Sequence, residues 1–113
     1  MSEQDATGPE PVLGRIKLLA ATGSFRVTQH AQQEMVEEEF GVEEVLEAIQ
    51  GAEILEDYPQ HRRGACCLLS GSTDQGRPLH VVCTSAQPLL MLITVYEPRS
   101  PKWITPHERS RPL

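Results

Sequence analysis

His30, Glu34 and Glu38 step at i, i+4 and i+8, so a helix running through them lines all three along one side. An imidazole beside two carboxylates can move protons or ligate a divalent cation. Three ligands along one helix rarely converge on one ion, however, and a histidine one turn before a glutamate also makes an ordinary surface pair. His30 is therefore the candidate acid–base residue, and no metal or cofactor is assigned. Tyr96 can donate a proton to a leaving oxygen, although a tyrosine at a strand end also serves as a half-buried core residue. Arg62 and Arg63, beside His61, form the basic cluster of the body. Arg77 stands in the next connection, and Arg99 and Lys102 follow the last strand. Brought together they would make a cationic patch; kept apart they are solvated loop arginines. His80 and Cys83 fall on opposite faces of one strand by period-2 counting, so they cannot share a metal. Cys66 and Cys67 are adjacent, one expected to face in and the other out, and both suit packing better than chemistry.

The elements that must hold these residues are legible from periodicity. Val12, Ile16, Leu19 and Ala20 are helically spaced, and Thr22-Gly23-Ser24 breaks that pattern. Thr28 is suited to cap the helix carrying His30, Glu34 and Glu38, with Ala31 and Met35 facing inward. Phe40-Gly41 reads as its stop, with glycine in the left-handed conformation. Val42, Val45, Leu46 and Ile49 make the apolar stripe of a further short helix, with Glu43, Glu44 and Glu47 on its other side. From residue 53 the period changes to 2. Strands are expected over 54–58, 65–70, 79–84 and 89–96, the last apolar on both faces and therefore well covered. Short connections favour antiparallel neighbours. The expectation is an α+β fold with two or three N-terminal helices packed on one face of a three- or four-stranded antiparallel meander sheet. The organisation reads as a disordered leader over 1–11, one domain over 12–98 and an extended Pro/Arg-rich tail over 99–113, with Trp103 and Ile104 as its anchor.

Charge narrows the partners. The 113 residues carry a net charge of −6, and 39% are hydrophobic. Residues 1–98 hold six basic against fifteen acidic side chains, a net −9, whereas residues 99–113 carry +3. A body this acidic repels nucleic-acid phosphates, so RNA contact is disfavoured unless a local basic patch provides it. No run is apolar enough to span a membrane. An odd set of three cysteines and a polar, acidic start suit reduced thiols in a cytoplasm.

Several segments in this order resemble a known family: Phe25-Arg26-Val27-Thr28-Gln29-His30-Ala31, Met35, Val42 to Ile49, Ile54 to Pro59, Gly76 to Val82, and Ile93-Thr94-Val95-Tyr96-Glu97-Pro98. Over roughly Leu13 to Trp103 the chain looks like the DUF4258 family of domains of unknown function, a relative of the RelE and BrnT toxins. The resemblance implies a small RelE/BrnT-like helix-plus-sheet fold within a superfamily that includes bacterial toxins cutting mRNA and silenced by an antitoxin. That cleavage has the RNA 2′-hydroxyl attack the adjacent phosphate, with side chains as base, acid and phosphate clamp and no metal. The family pattern places arginines four and eight residues after the histidine; here those positions are Glu34 and Glu38. An anionic stripe stands where relatives can hold phosphate.

Two functional expectations follow. One is a metal-independent endoribonuclease toxin, with His30 and Tyr96 catalytic, Arg62, Arg63, Arg77 and Arg99 binding, and an antitoxin as partner. The loss of the two family arginines argues against efficient activity. The other is a non-catalytic protein-binding module that turns its acidic helix, with Glu34 and Glu38, toward a basic partner.

Overall fold

The computed structural model describes residues 9–62, 64–99 and 103–109. Helix α1 (Pro9–Ala21) leads into the short strand β1 (Phe25–Val27), then helices α2 (Gln29–Glu38) and α3 (Val42–Gln50). Strands β2 (Glu53–Tyr58), β3 (Cys66–Ser72), β4 (Pro78–Thr84) and β5 (Leu90–Tyr96) follow, and β6 (Trp103–Thr105) pairs with β7 (Glu108–Arg109). The expected α+β class holds, with three helices and a five-stranded mixed sheet ordered β1-β5-β4-β3-β2.

Four of those strands, β2 to β5, run as an antiparallel meander. The expectation of a purely antiparallel sheet of three or four strands is corrected by β1, which lies parallel to β5 with Phe25, Arg26 and Val27 opposite Leu90, Met91 and Leu92. Three residues are too short a segment for period-2 patterning to register. Its pairing is set instead by the backbone bonds Leu90 N to Ser24 O and Thr28 N to Leu92 O at its two ends.

Helix boundaries follow local chemistry. The Thr28 hydroxyl accepts from Ala31 N at 3.1 Å and donates to Ile93 O at 3.1 Å, so one side chain caps α2 and ties its start to β5. The left-handed stop of α2 is Glu39 (φ 59°), not Gly41, which is extended at φ −79° and begins α3. Gly41 N–H is bonded by the Glu44 carboxylate at 2.9 Å, which fixes the entry to α3. A left-handed glutamate is strained, because its Cβ crowds the backbone. Glu39→Gly should therefore stabilise the fold by about 0.5–1 kcal/mol, read as a higher denaturation midpoint with an unchanged slope.

The core lies between the helices and one sheet face, where Ile16, Ala31, Met35, Val45, Ala48 and Ile49 meet Cys67, Leu69, Val81, Cys83, Leu92 and Val95. On this face Gly71 lets α3 approach closely, since a Cβ there would stand 2.4 Å from Ala48 O. The helix begins at Pro9, inside the stretch read as a leader. The segment expected as an extended tail folds, over 103–109, into the β6–β7 hairpin, and Trp103 packs edge-on to the His80 ring with centroids 4.5 Å apart. Trp103 is buried there; the Ile104 side chain lies outside the described residues. Cys66 and Cys67 point to opposite faces of β3, and both are buried rather than one in and one out. Among the described residues no helix is long and apolar enough to cross a membrane.

Candidate functional site

His30, Glu34, Glu38, Arg77 and Arg99 gather where α2 runs along β5, although not as one catalytic group. Beyond Val27, β1 no longer accompanies β5, and α2 takes its place beside that strand. Glu34 Oε1 accepts the Val95 backbone N–H at 2.9 Å, filling the position a strand carbonyl would occupy. The same oxygen lies 3.3 Å from His30 Nε2. His30 is 65% exposed, so this pair is a surface contact worth a few tenths of a kcal/mol, roughly.

One helical turn on, Glu38 pairs with Arg99 at 2.9 Å, and Arg99 also lies 3.6 Å from Glu97. Arg77 contacts the same carboxylate, through Nε at 3.2 Å and Nη2 at 3.0 Å. Its guanidinium further donates to the carbonyls of Glu38 at 2.8 Å and Glu39 at 3.1 Å, and sits 3.8 Å above the centre of the Phe40 ring. A cation at the end of a helix satisfies carbonyls that have no partner in the next turn and opposes the negative end of the macrodipole. Arg77 is thus a clamp on the end of α2, and Arg77 and Arg99 are both neutralised internally. Glu97 and Phe40, which join this network, were not recognised as partners in the sequence because the contacts depend on where β4 and β5 end.

Of the two arrangements open to the loop arginines, Arg62 takes the separate one and does not join Arg77 and Arg99. Arg62 lies in the turn between β2 and β3, whereas Arg77 lies in the turn between β3 and β4. The intervening strand has seven residues, a span of roughly 20 Å, so the two turns occupy opposite ends of the sheet. Arg62 is exposed; Arg63 and Lys102 lie outside the described residues. His30, Glu34 and Glu38 likewise do not converge, since Glu34 turns to Val95 and Glu38 to Arg99.

Tyr96 belongs to a separate cluster on the sheet face opposite the helices. Its hydroxyl lies 3.1 Å from Nδ1 of the buried His80, whose Nε2 lies 2.7 Å from Pro106 O. A carbonyl can only accept, so Nε2 carries the hydrogen. The pair is a settled core contact under the β6–β7 turn. On the other face Cys67 and Cys83 are register partners, and the thiol of Cys83 donates to Cys67. That bond, with burial, pushes the Cys83 pKa well up, and it holds Cys67 below the ordinary thiol value.

The outer surface of α2 and α3 differs from this balanced network. Glu37, Glu39, Glu43 and Glu47 are exposed, with Asp74 close by. The hydrogen bond to Asp74 holds the Glu47 carboxyl above the ordinary carboxylate value, assisted by desolvation and the charges of Asp74, Glu43 and Glu44. A raised carboxylate pKa contributes stability below the unfolded value and loses it as pH rises through the folded one. Asp74→Asn should therefore raise the melting temperature at neutral pH and change it little in acid, where the carboxyl is protonated.

Residues 27–97 match the model of a family described as a domain of unknown function (DUF4258), and the chain belongs to that family. No curated protein and no solved structure shows significant similarity to the chain.

Proposed function

We propose that this DUF4258 member is a non-catalytic protein-binding module whose acidic α2–α3 surface receives a basic partner. The observation that supports this most directly is the distribution of charge. Arg77 and Arg99 are bonded to Glu97, Glu38 and helix carbonyls, while Glu37, Glu39, Glu43 and Glu47 face solvent. Val36 and Val42, 79% and 41% exposed, lie on the same helices and add apolar contact to that surface. A basic partner would relieve the repulsion around Glu47, and binding would be strongly weakened by salt.

The surface differs in detail from the stripe of Glu34 and Glu38. Those two carboxylates are half-buried and bonded within the protein, so recognition falls to Glu37 and Glu43. We read the scaffold as RelE/BrnT-like, a reading supported by three helices packed on one face of an antiparallel meander. An endoribonuclease activity is less well supported, because His30 pairs with Glu34 and Tyr96 with His80 on a different surface.

Titration of labelled protein with an oligo-lysine peptide should shift amides of α2 and α3, and Glu37→Arg with Glu43→Arg should weaken binding by about tenfold or more. Shifts confined to other surfaces would sink the proposal. Cleavage of RNA by the pure protein, lost on His30→Ala or Tyr96→Phe, would replace it with the nuclease reading.

A further inference from the structure

The registers of the meander place four polar side chains in one row across the face opposite the helices. Glu53 stands opposite Ser70, Ser70 opposite His80, and His80 opposite Tyr96. The next row, Ile54, Leu69, Val81 and Val95, is wholly apolar and faces the core. The β6–β7 turn covers the polar row only in part. Pro106 O meets His80, and His107 Nε2 reaches Glu53 Oε1 at 3.1 Å. Between that turn and the sheet lies a groove of about 430 Å³, lined by Glu53, Ser70, Ser72, Pro78, Pro106 and His107 among others. This is within the size range of small-molecule sites.

Ser70 is the informative wall. It is only 5% exposed and it lines the groove, so the groove is where its side chain meets a ligand. We propose that the groove binds a neutral, polyhydroxylated ring through a vicinal diol, as found in the ribose of a nucleoside or in a free sugar.

The lining selects this chemistry. Glu53 accepts hydrogen bonds only, whereas Ser70 and Ser72 both donate and accept, a combination matched to adjacent hydroxyls. Pro78 and Pro106 offer apolar surface to the C–H face of a ring. An anion would find no lysine or arginine among the described residues of the lining and would meet Glu53. An apolar ligand would leave the Ser70 hydroxyl desolvated and unbonded. The Glu53–His107 pair bridges the mouth, and a diol entering the groove takes over the carboxylate.

Amide spectra of the whole protein, titrated with methyl β-D-ribofuranoside, methyl α-D-glucopyranoside and the 2-deoxy analogue of the riboside, test this. The expected result is saturable shifts at residues 51–53, 70–72 and 106–107, with a dissociation constant on the order of 1 mM for at least one diol. The deoxy analogue should bind about tenfold more weakly than the riboside. Preference between the first two separates ribose from hexose. Ser70→Ala and Glu53→Gln should each weaken binding about tenfold while the other amides keep their positions, showing that the fold is retained. Absence of saturable shifts, equal binding of the deoxy compound, or unchanged affinity in folded variants would overturn the assignment.

Discussion

Arg77→Ala should lower stability by about 3 kcal/mol, the largest loss expected from any polar residue of the α2–β5 network. Two charge-assisted bonds to helix-end carbonyls and a stacked cation contribute about 1 kcal/mol each. The guanidinium bonds Glu38 O and Glu39 O, covers Phe40 and answers Glu97 in one geometry. Removing it leaves Glu97 beside Glu38 with Arg99 as their shared cation. The melting temperature should fall by roughly 10–20 °C for a domain of this size. Arg77→Lys should recover less than half of that, because an ammonium cannot reach carbonyls and carboxylate as a planar fork does. A drop of only a degree or two for the alanine variant would show that the clamp is dispensable.

Gly71→Ala should be comparably damaging for a steric reason. Its new Cβ would lie 2.4 Å from Ala48 O, 3.1 Å from Ala48 C and 3.2 Å from Ala52 Cβ. Two of the three are backbone atoms of α3, so relief requires the helix itself to move off β3. Such overpacking costs about 2–4 kcal/mol, and urea unfolding should show it as a lower midpoint. Removing the Ala48 methyl in the same chain should not rescue the variant, since the clash is with the carbonyl. Full rescue by Gly71→Ala with Ala48→Gly would mean that side-chain crowding, not backbone contact, sets the spacing of helix and sheet.

Sequence periodicity located the three helices and the four meander strands because each repeats apolar residues often enough to be counted. Val45 and Ile49 face the core as their spacing implied, and Thr28 caps α2 as its hydroxyl implied. Strand β1 is not legible in the sequence because three residues carry no period. The left-handed stop at Glu39 is masked in the sequence by Gly41, which two residues on offers the stronger local preference, while Arg77 and Glu39 meet only after β4 is in place.

Site residues were less legible than elements for the same reason. Composition identified Arg62, Arg77 and Arg99 as cations, but the length of β3 decides that Arg62 stands far from the other two. The spacing of His30, Glu34 and Glu38 correctly placed them on one helix. It could not reveal that an amide of β5 lay waiting for Glu34. The row of Glu53, Ser70, His80 and Tyr96 is scattered over four strands and becomes visible only through register.

The bond from Val95 to Glu34 has a bearing on how copies of the chain behave at high concentration. Sheets join at strand edges that display free N–H groups, and the outer half of β5 would be such an edge once β1 has ended. A glutamate side chain occupies its Val95 amide, and the helix carrying it blocks approach from that direction. The opposite boundary is β2, whose Glu53, Glu56 and Asp57 would force like charges together if two copies aligned there. One edge is closed by a side chain acting as a surrogate strand and the other is guarded by repulsion. Glu34→Leu should therefore make the protein aggregate through β5 before its helices unfold, read by light scattering during a thermal ramp.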